Sequence, residues 1–151
     1  MRRSASGEAD IVDVGGVGGT LAGNPLSLAA IRATLGHVLT ADAFDHMVNV
    51  AGRYTADVQS VLDANDLPWS ITQLGARAEY RFTRPAPRTG GESAAAADDQ
   101  LDEFMHLFMI NRGIVMTPFH NMALMSPAST IADVSTHTEL FRAAVAELTA
   151  S

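Results

Sequence analysis

A glycine-rich string near the amino terminus constrains this chain more than any other feature. Five glycines, one threonine and an Asn-Pro pair lie between Gly15 and Pro25, and a helical pattern of apolar residues follows from Leu26 to about Leu39. Glycine permits positive φ angles and the close approach of another group. A glycine-rich turn that opens onto a helix presents backbone N–H groups to an anion, and the helix dipole strengthens this preference. The string therefore predicts either a phosphate-binding loop or a structural turn.

Two common phosphate-binding motifs do not fit this string. The dinucleotide-binding motif G-x-G-x-x-G, begun at Gly16, needs a glycine at position 21, where Leu21 stands. The nucleoside-triphosphate loop needs a lysine, and all ten basic residues of the chain are arginines. Gly18, Gly19 and Thr20 are the best candidates for a phosphate contact, because a hydroxyl group and two backbone donors can hold a phosphate without a full positive charge.

Composition and charge exclude several other classes of protein. The length of 151 residues fits one domain, and the net charge of −7 argues against a nucleic-acid partner. The chain has no cysteine and no histidine pair at metal-binding spacing, so we expect neither disulfides nor a metal site. No apolar run approaches the roughly 18 residues of a membrane span, and no secretory signal is present. We therefore expect a cytoplasmic protein that does not bind membranes.

The apolar periodicity predicts an α+β domain, with helices on one face of a small, mostly antiparallel sheet. A long helix of three- and four-residue apolar steps runs from Phe44 to Leu62. Two strands follow, Trp69–Leu74 and Arg77–Thr83, joined by a turn at Gly75. Residues 84–99 lose all periodicity and are predicted to form a loop or a disordered insertion.

The remainder of the chain predicts a helix, a strand and a second helix. The first helix restarts at Leu101, and a short strand is expected at Ile114–Met116. Thr130 and Asp133 form a capping-box pattern, with aspartate in place of the usual glutamate, before the last helix.

The string Gly-Gly-Thr-Leu-Ala-Gly-Asn-Pro-Leu at positions 18–26 resembles a segment found late in class III aminotransferases, most closely in the glutamate-1-semialdehyde aminomutase branch. The order of the later elements also resembles the C-terminal domain of that family, over nearly all of residues 10–149. The resemblance implies the small C-terminal domain of a fold-type-I transferase that depends on pyridoxal 5′-phosphate (PLP), covering residues 15–151 after a tail at 1–14. It also implies that Gly18, Gly19 and Thr20 contact the phosphate of a PLP held by the neighbouring subunit.

The same resemblance implies what this chain can do and which partners it needs. In that family the lysine that carries PLP lies upstream of the Gly-Gly-Thr segment, and this chain contains no lysine. We therefore expect a C-terminal part of an aminotransferase or aminomutase acting on a small amino or keto acid, with no catalytic residue of its own and no activity alone. Its expected partner is a second copy, through the cofactor-site interface, or a missing large domain. The alternative is a stand-alone remnant that folds and self-associates without activity.

Three other side chains are candidates for contacting substrate. Arg77 and Arg81 share one strand face with Glu79 between them, a pattern that indicates either a substrate-carboxylate site or, as we favour, a solvated ion-pair face. His120 lies in a stretch where the resembling family approaches the mouth of its active site. His137 lies on the apolar stripe of the last helix, which predicts a buried histidine with satisfied hydrogen bonds.

Overall fold

The computed structural model describes residues 23–117 and 120–150. Within these ranges the chain forms an α+β domain of five helices and a three-stranded antiparallel sheet. The elements in chain order are α1 (Pro25–His37), α2 (Ala41–Ala64), β1 (Ser70–Leu74), β2 (Arg77–Arg81), α3 (Gly90–Ala95), α4 (Asp99–Ile110), β3 (Met122–Leu124) and α5 (Ile131–Thr149). The predicted fold class is confirmed, whereas the predicted tail at 1–14 lies outside the described residues.

Helix α2 has the boundaries and the buried face that its periodicity predicts. The Thr40 side chain accepts a hydrogen bond from the backbone N–H of Ala43 at 3.3 Å and so caps the first turn. The inward-facing apolar positions follow three- and four-residue steps, whereas Phe44 at the start of the predicted stripe is exposed. The buried positions are Met47, Val50, Ala51, Tyr54, Val58, Val61 and Leu62. Of these side chains, Val50, Tyr54, Val58, Val61 and Leu62 form one core cluster with buried residues of α4, α5 and the sheet.

The three strands lie in the order β1-β2-β3, and each neighbouring pair is antiparallel. Ala78 and Tyr80 of β2 are buried against the core, while Arg77, Glu79 and Arg81 alternate onto the opposite face. The turn between β1 and β2 is made at Gly75, whose φ of +58° is a conformation that glycine adopts without strain. This alternation brings three charged side chains onto one face of the central strand.

Two segments differ from the sequence-based expectation. The stretch 84–99 is not wholly irregular, because Thr89 caps the short helix α3 through a hydrogen bond from the Glu92 N–H. The strand expected at Ile114–Met116 does not form, and these residues run irregularly after Gly113. Helix α3 is capped by residues only three apart in the sequence, whereas residues 114–116 pair with none of the three strands of the described sheet.

Helix α5 begins with the predicted capping box. The backbone N–H and hydroxyl of Thr130 both donate to Asp133 Oδ2 at 2.8 Å, and the Asp133 N–H donates to Thr130 Oγ1 at 3.2 Å. The hydrogen bonds that Asp133 accepts lower the pKa of its carboxyl group, and the bond from the Thr130 hydroxyl has the largest effect. The capping-box prediction is confirmed.

The first prediction concerns this cap. Replacing Thr130 with alanine should lower the free energy of unfolding by about 1 kcal/mol, because the backbone N–H of Asp133 in the first turn loses its acceptor, Thr130 Oγ1. Urea denaturation of wild type and variant measures the difference. The matched control is Thr136→Ala on the exposed middle of the same helix, where alanine is the better helix former. Equal losses in the two variants would contradict the role of the cap.

Candidate functional site

The predicted phosphate contacts, Gly18, Gly19 and Thr20, lie outside the described residues. The described chain starts just after them, where Asn24 Oδ1 accepts the Ser27 N–H at 3.0 Å and caps α1. Asn24 is therefore a helix-cap residue, as its position after the glycine string predicts. The string leads directly into the N-terminal turn of a 13-residue helix.

The charged face of β2 carries the clearest polar cluster of the described chain. Glu79 Oε2 accepts from Arg77 Nη2 at 2.7 Å, and Glu79 Oε1 accepts from Arg81 Nη1 at 3.4 Å. The Glu79 side chain is only 14% exposed, so its carboxylate is largely removed from water between two guanidinium groups. The ion pairs lie on the strand face where we expected them, but Glu79 and Arg81 are largely removed from water rather than solvated.

His120 joins this cluster from a distant part of the chain. Its Nδ1 lies 3.6 Å from Glu79 Oε1, on the side chain that also meets both arginines. All three sequence-predicted substrate candidates, Arg77, Arg81 and His120, therefore converge on one carboxylate. Glu79 itself was not predicted as the centre of a site, because its pairing with residue 120 depends on the register of β2 with β3.

Arg81 is the least exposed of the basic side chains in the cluster. Its Nη2 donates to the carbonyl oxygen of Ser93 at 2.7 Å and also to the Ser93 hydroxyl, which ties β2 to α3. The Nε of Arg81 is buried and has no hydrogen-bond partner among the described residues. Since a guanidinium group carries five N–H donors, Arg81 keeps capacity for a further acceptor such as a small carboxylate.

A second set of contacts fixes the chain on either side of His120. Asn121 Nδ2 donates to Asp102 Oδ1 at 2.5 Å, and His106 Nε2 lies 2.7 Å from the carbonyl oxygen of Thr117. Burial raises the pKa of Asp102, while the hydrogen bond from Asn121 acts in the opposite direction. None of these residues was predicted to take part in a site. The four-residue spacing of Asp102 and His106 is the signal that could have placed them on a shared face of α4.

His137 is buried as predicted, but its expected hydrogen bonds are not present. Neither ring nitrogen has a partner among the described residues, and the same holds for the Tyr54 hydroxyl, whose ring centroid lies 4.7 Å from that of His137. Burial lowers the pKa of His137 to about 4, so the ring is neutral near pH 7. Both side chains line a cavity of about 280 Å³ between β3 and the start of α5.

Arg77, Glu79, Arg81 and His120 together form what we call the β2 cluster. Its charges are suited to binding a small charged molecule. Two guanidinium groups can hold a carboxylate, while Glu79 offers the complementary charge for an ammonium group. In the part of the chain that the structure describes, no group of three or more acidic or histidine side chains is placed to hold a metal ion. None of the described helices is both long and apolar enough to cross a membrane.

The chain is similar to proteins of known structure over nearly its whole length. A glutamate-1-semialdehyde-aminomutase from Pseudomonas aeruginosa PAO1, crystallised in complex with PMP, is 44% identical, with a TM-score of 0.83 over 98% of this chain and 32% of that chain. An omega-transaminase from Sphaerobacter thermophilus shares the fold, with 22% identity and a TM-score of 0.71 over 93% of this chain and 34% of that chain.

The amino-acid sequence is also similar to that of a curated aminomutase. The glutamate-1-semialdehyde 2,1-aminomutase of Tropheryma whipplei (strain Twist) is 30% identical over 100 residues, which make up 66% of this chain and 21% of that protein. The chain thus spans about a fifth to a third of the length of the relatives it matches. No protein-family model matches the chain.

Proposed function

Because this chain is a C-terminal domain of the class III PLP aminotransferase-like type, we propose that it forms part of an enzyme that moves an amino group on a small amino or keto acid. The observation that carries the proposal is the 44% identity, over 98% of this chain, with an aminomutase in complex with PMP. The proposed activity is similar to that of glutamate-1-semialdehyde aminomutase.

We assign the phosphate end of PLP to Gly18, Gly19 and Thr20, across the interface of a homodimer. Their donor set fits this role, because two backbone N–H groups and a hydroxyl precede the N-terminal turn of α1, where anions are favoured. When bound, PLP supplies the electron sink for amino-group chemistry. The chain contains no lysine, so the amine that holds PLP covalently comes from another part of the assembly.

The β2 cluster is the proposed contribution of this chain to the substrate cleft. Arg77 and Arg81 offer N–H donors to a substrate carboxylate, and Glu79 offers its carboxylate to a substrate ammonium group. His120 lies beside Glu79 and is 44% exposed, so it can reach a bound molecule from the solvent side. A small amino acid carries both of these charges and is the ligand class that this arrangement favours.

The second candidate function is that of a non-catalytic remnant that folds and self-associates. The absence of any lysine from this chain favours it, because covalent capture of the PLP aldehyde needs an amine nucleophile. The two candidates differ in what they predict when the rest of an enzyme is supplied.

A chimera separates the two functions. This chain would replace the matching third of the Pseudomonas aeruginosa aminomutase, whose similarity covers nearly all of it. We expect the chimera to bind PLP and to show aminomutase or transaminase activity, whereas this chain alone binds PLP weakly and is inactive. A folded chimera that binds no PLP would overturn the proposed function and favour the remnant.

A second prediction tests the role of Thr20 in that chimera. Thr20→Ala should weaken PLP binding by about 1–3 kcal/mol, the usual loss when a hydrogen bond to a charged group is removed. Equilibrium titration with PLP measures the change, with Thr136→Ala on the exposed side of α5 as the matched control. An affinity unchanged by Thr20→Ala would remove this residue from the phosphate site and leave the glycine string as a structural turn.

A further inference from the structure

The residues on either side of His120 are held by two side chains of helix α4. Asp102 Oδ1 accepts the Asn121 side-chain amide at 2.5 Å, and the His106 ring reaches the carbonyl oxygen of Thr117 at 2.7 Å. The other ring nitrogen of His106 lies 2.7 Å from the main-chain oxygen of Asp102, one helical turn earlier. These contacts join a rigid helix to the chain before and after His120.

Asn121 is also fixed to the sheet. Its carbonyl oxygen accepts the Tyr80 N–H at 3.1 Å, and the residue is almost fully buried. Asn121 therefore connects β2, through its backbone, with α4, through its side chain. Since hydrogen bonds to a charged partner away from water are stronger than neutral ones, the bond to Asp102 is well suited to hold this position.

Thr117 is connected to the far side of the same turn. Its hydroxyl donates to the carbonyl oxygen of Met122 at 2.9 Å, so fixing Thr117 also restrains the start of β3. His120 lies between these two anchored residues and is tied to one of them, because its backbone N–H donates to the carbonyl oxygen of Thr117 at 3.4 Å, the same oxygen that the His106 ring contacts. The described polar contact of its ring is with Glu79 at 3.6 Å.

We propose that Asp102 and His106 are positioning residues that set the His120 ring against Glu79. The inference rests on the proposed function, in which His120 and the β2 cluster meet the substrate. Asp102 acts through Asn121, and His106 acts through Thr117. Neither side chain has to touch the substrate, the cofactor or a reacting atom.

The test measures the His120–Glu79 contact directly in the full chain. The measured quantity is the change in the NMR chemical shifts of the His120 ring protons when Glu79 is replaced with glutamine. This change is called the His120 response and is compared between the wild-type chain and chains that carry a second substitution. In the wild-type background we expect a clear change, because the ring lies beside the carboxylate. With Asp102→Ala we expect the change to fall to less than half, since Asn121 loses its acceptor.

Two further backgrounds distinguish positioning from a general loss of structure. Asp102→Asn should restore most of the response, because its amide oxygen still accepts the Asn121 amide proton. Glu103→Ala, at an exposed position of the same helix, should leave the response unchanged. If Asp102→Ala fails to fold, His106→Leu removes the contact with Thr117 and carries the same expectation. A full His120 response in folded Asp102→Ala or His106→Leu would overturn the inference, as would no response in the wild-type background.

A kinetic arm separates this inference from the proposed function. In the active chimera, Asp102→Ala should lower kcat/KM about tenfold or more, mainly through KM, because small displacements of substrate-positioning groups have large effects. A lost NMR response together with unchanged kinetics would uphold the positioning role and overturn the proposed role of His120 at the substrate.

Discussion

Replacing Phe141 with alanine should destabilise the domain by about 3–5 kcal/mol, the range typical of a fully buried phenylalanine. The Phe141 side chain is completely buried in the middle of α5. Its ring centroid lies 5.2 Å from that of Tyr80 and 6.5 Å from that of Trp69, in edge-on geometry that adds to the area buried. Truncation would leave a cavity where helix α5 meets the sheet.

Chemical denaturation of the purified chain measures this loss. The matched control is Phe44→Ala, the same truncation at a position of α2 that is 48% exposed, where a change below about 1 kcal/mol is expected. Similar losses at the two positions would show that Phe141 does not occupy the centre of the core.

Acid should weaken the fold through His137. Burial lowers the pKa of this histidine from 6.5 to about 4, so the unfolded chain takes up a proton at a higher pH than the folded chain does. The contribution to stability is therefore fully present above about pH 6.5 and is lost as the pH falls towards 4. A shift of this size corresponds to about 3 kcal/mol across that window.

The measurement is the free energy of unfolding at several pH values for wild type and His137→Leu. The variant should lose most of the pH dependence between 4 and 6.5 because its side chain does not titrate. His37→Leu, at an exposed position of α1, should keep the wild-type slope. Other titrating groups also make the stability depend on pH. Burial raises the pKa of Asp102, so the contribution of Asp102 to the free energy of unfolding falls as the pH rises above 3.8. Parallel curves for wild type and His137→Leu would exclude His137 as the source.

Elements with a strong local period could be predicted from the sequence. The buried stripe of α2 repeats at helical spacing from Met47 to Leu62, and the alternation of Ala78 and Tyr80 with charged residues fixes which face of β2 is buried. The cap of α5 is equally local, because Thr130 and Asp133 bond each other within one turn. In such elements neighbouring residues decide the structure.

The site could be predicted only in part, because its geometry is not local. Strand alternation placed Arg77 and Arg81 on one face with Glu79 between them, but the approach of His120 to Glu79 follows from the pairing of β2 with β3. Asp102 and Asn121 are likewise distant in sequence, and no periodic pattern in the sequence predicts the contact between them. Non-local polar contacts of this kind need the fold before they can be recognised.

The place of α5 in the chain has a consequence for protein synthesis. The buried face of α2 is covered by α5, which begins at Ile131, whereas α2 ends at Ala64. At roughly 5–20 residues per second, the ribosome makes α5 several seconds after α2. During that interval the inward side chains of α2, such as Tyr54 and Val58, lack the cover that α5 provides, although β1, β2 and α4 are made before it. We therefore expect the nascent chain to be more prone to aggregation before α5 emerges than after it.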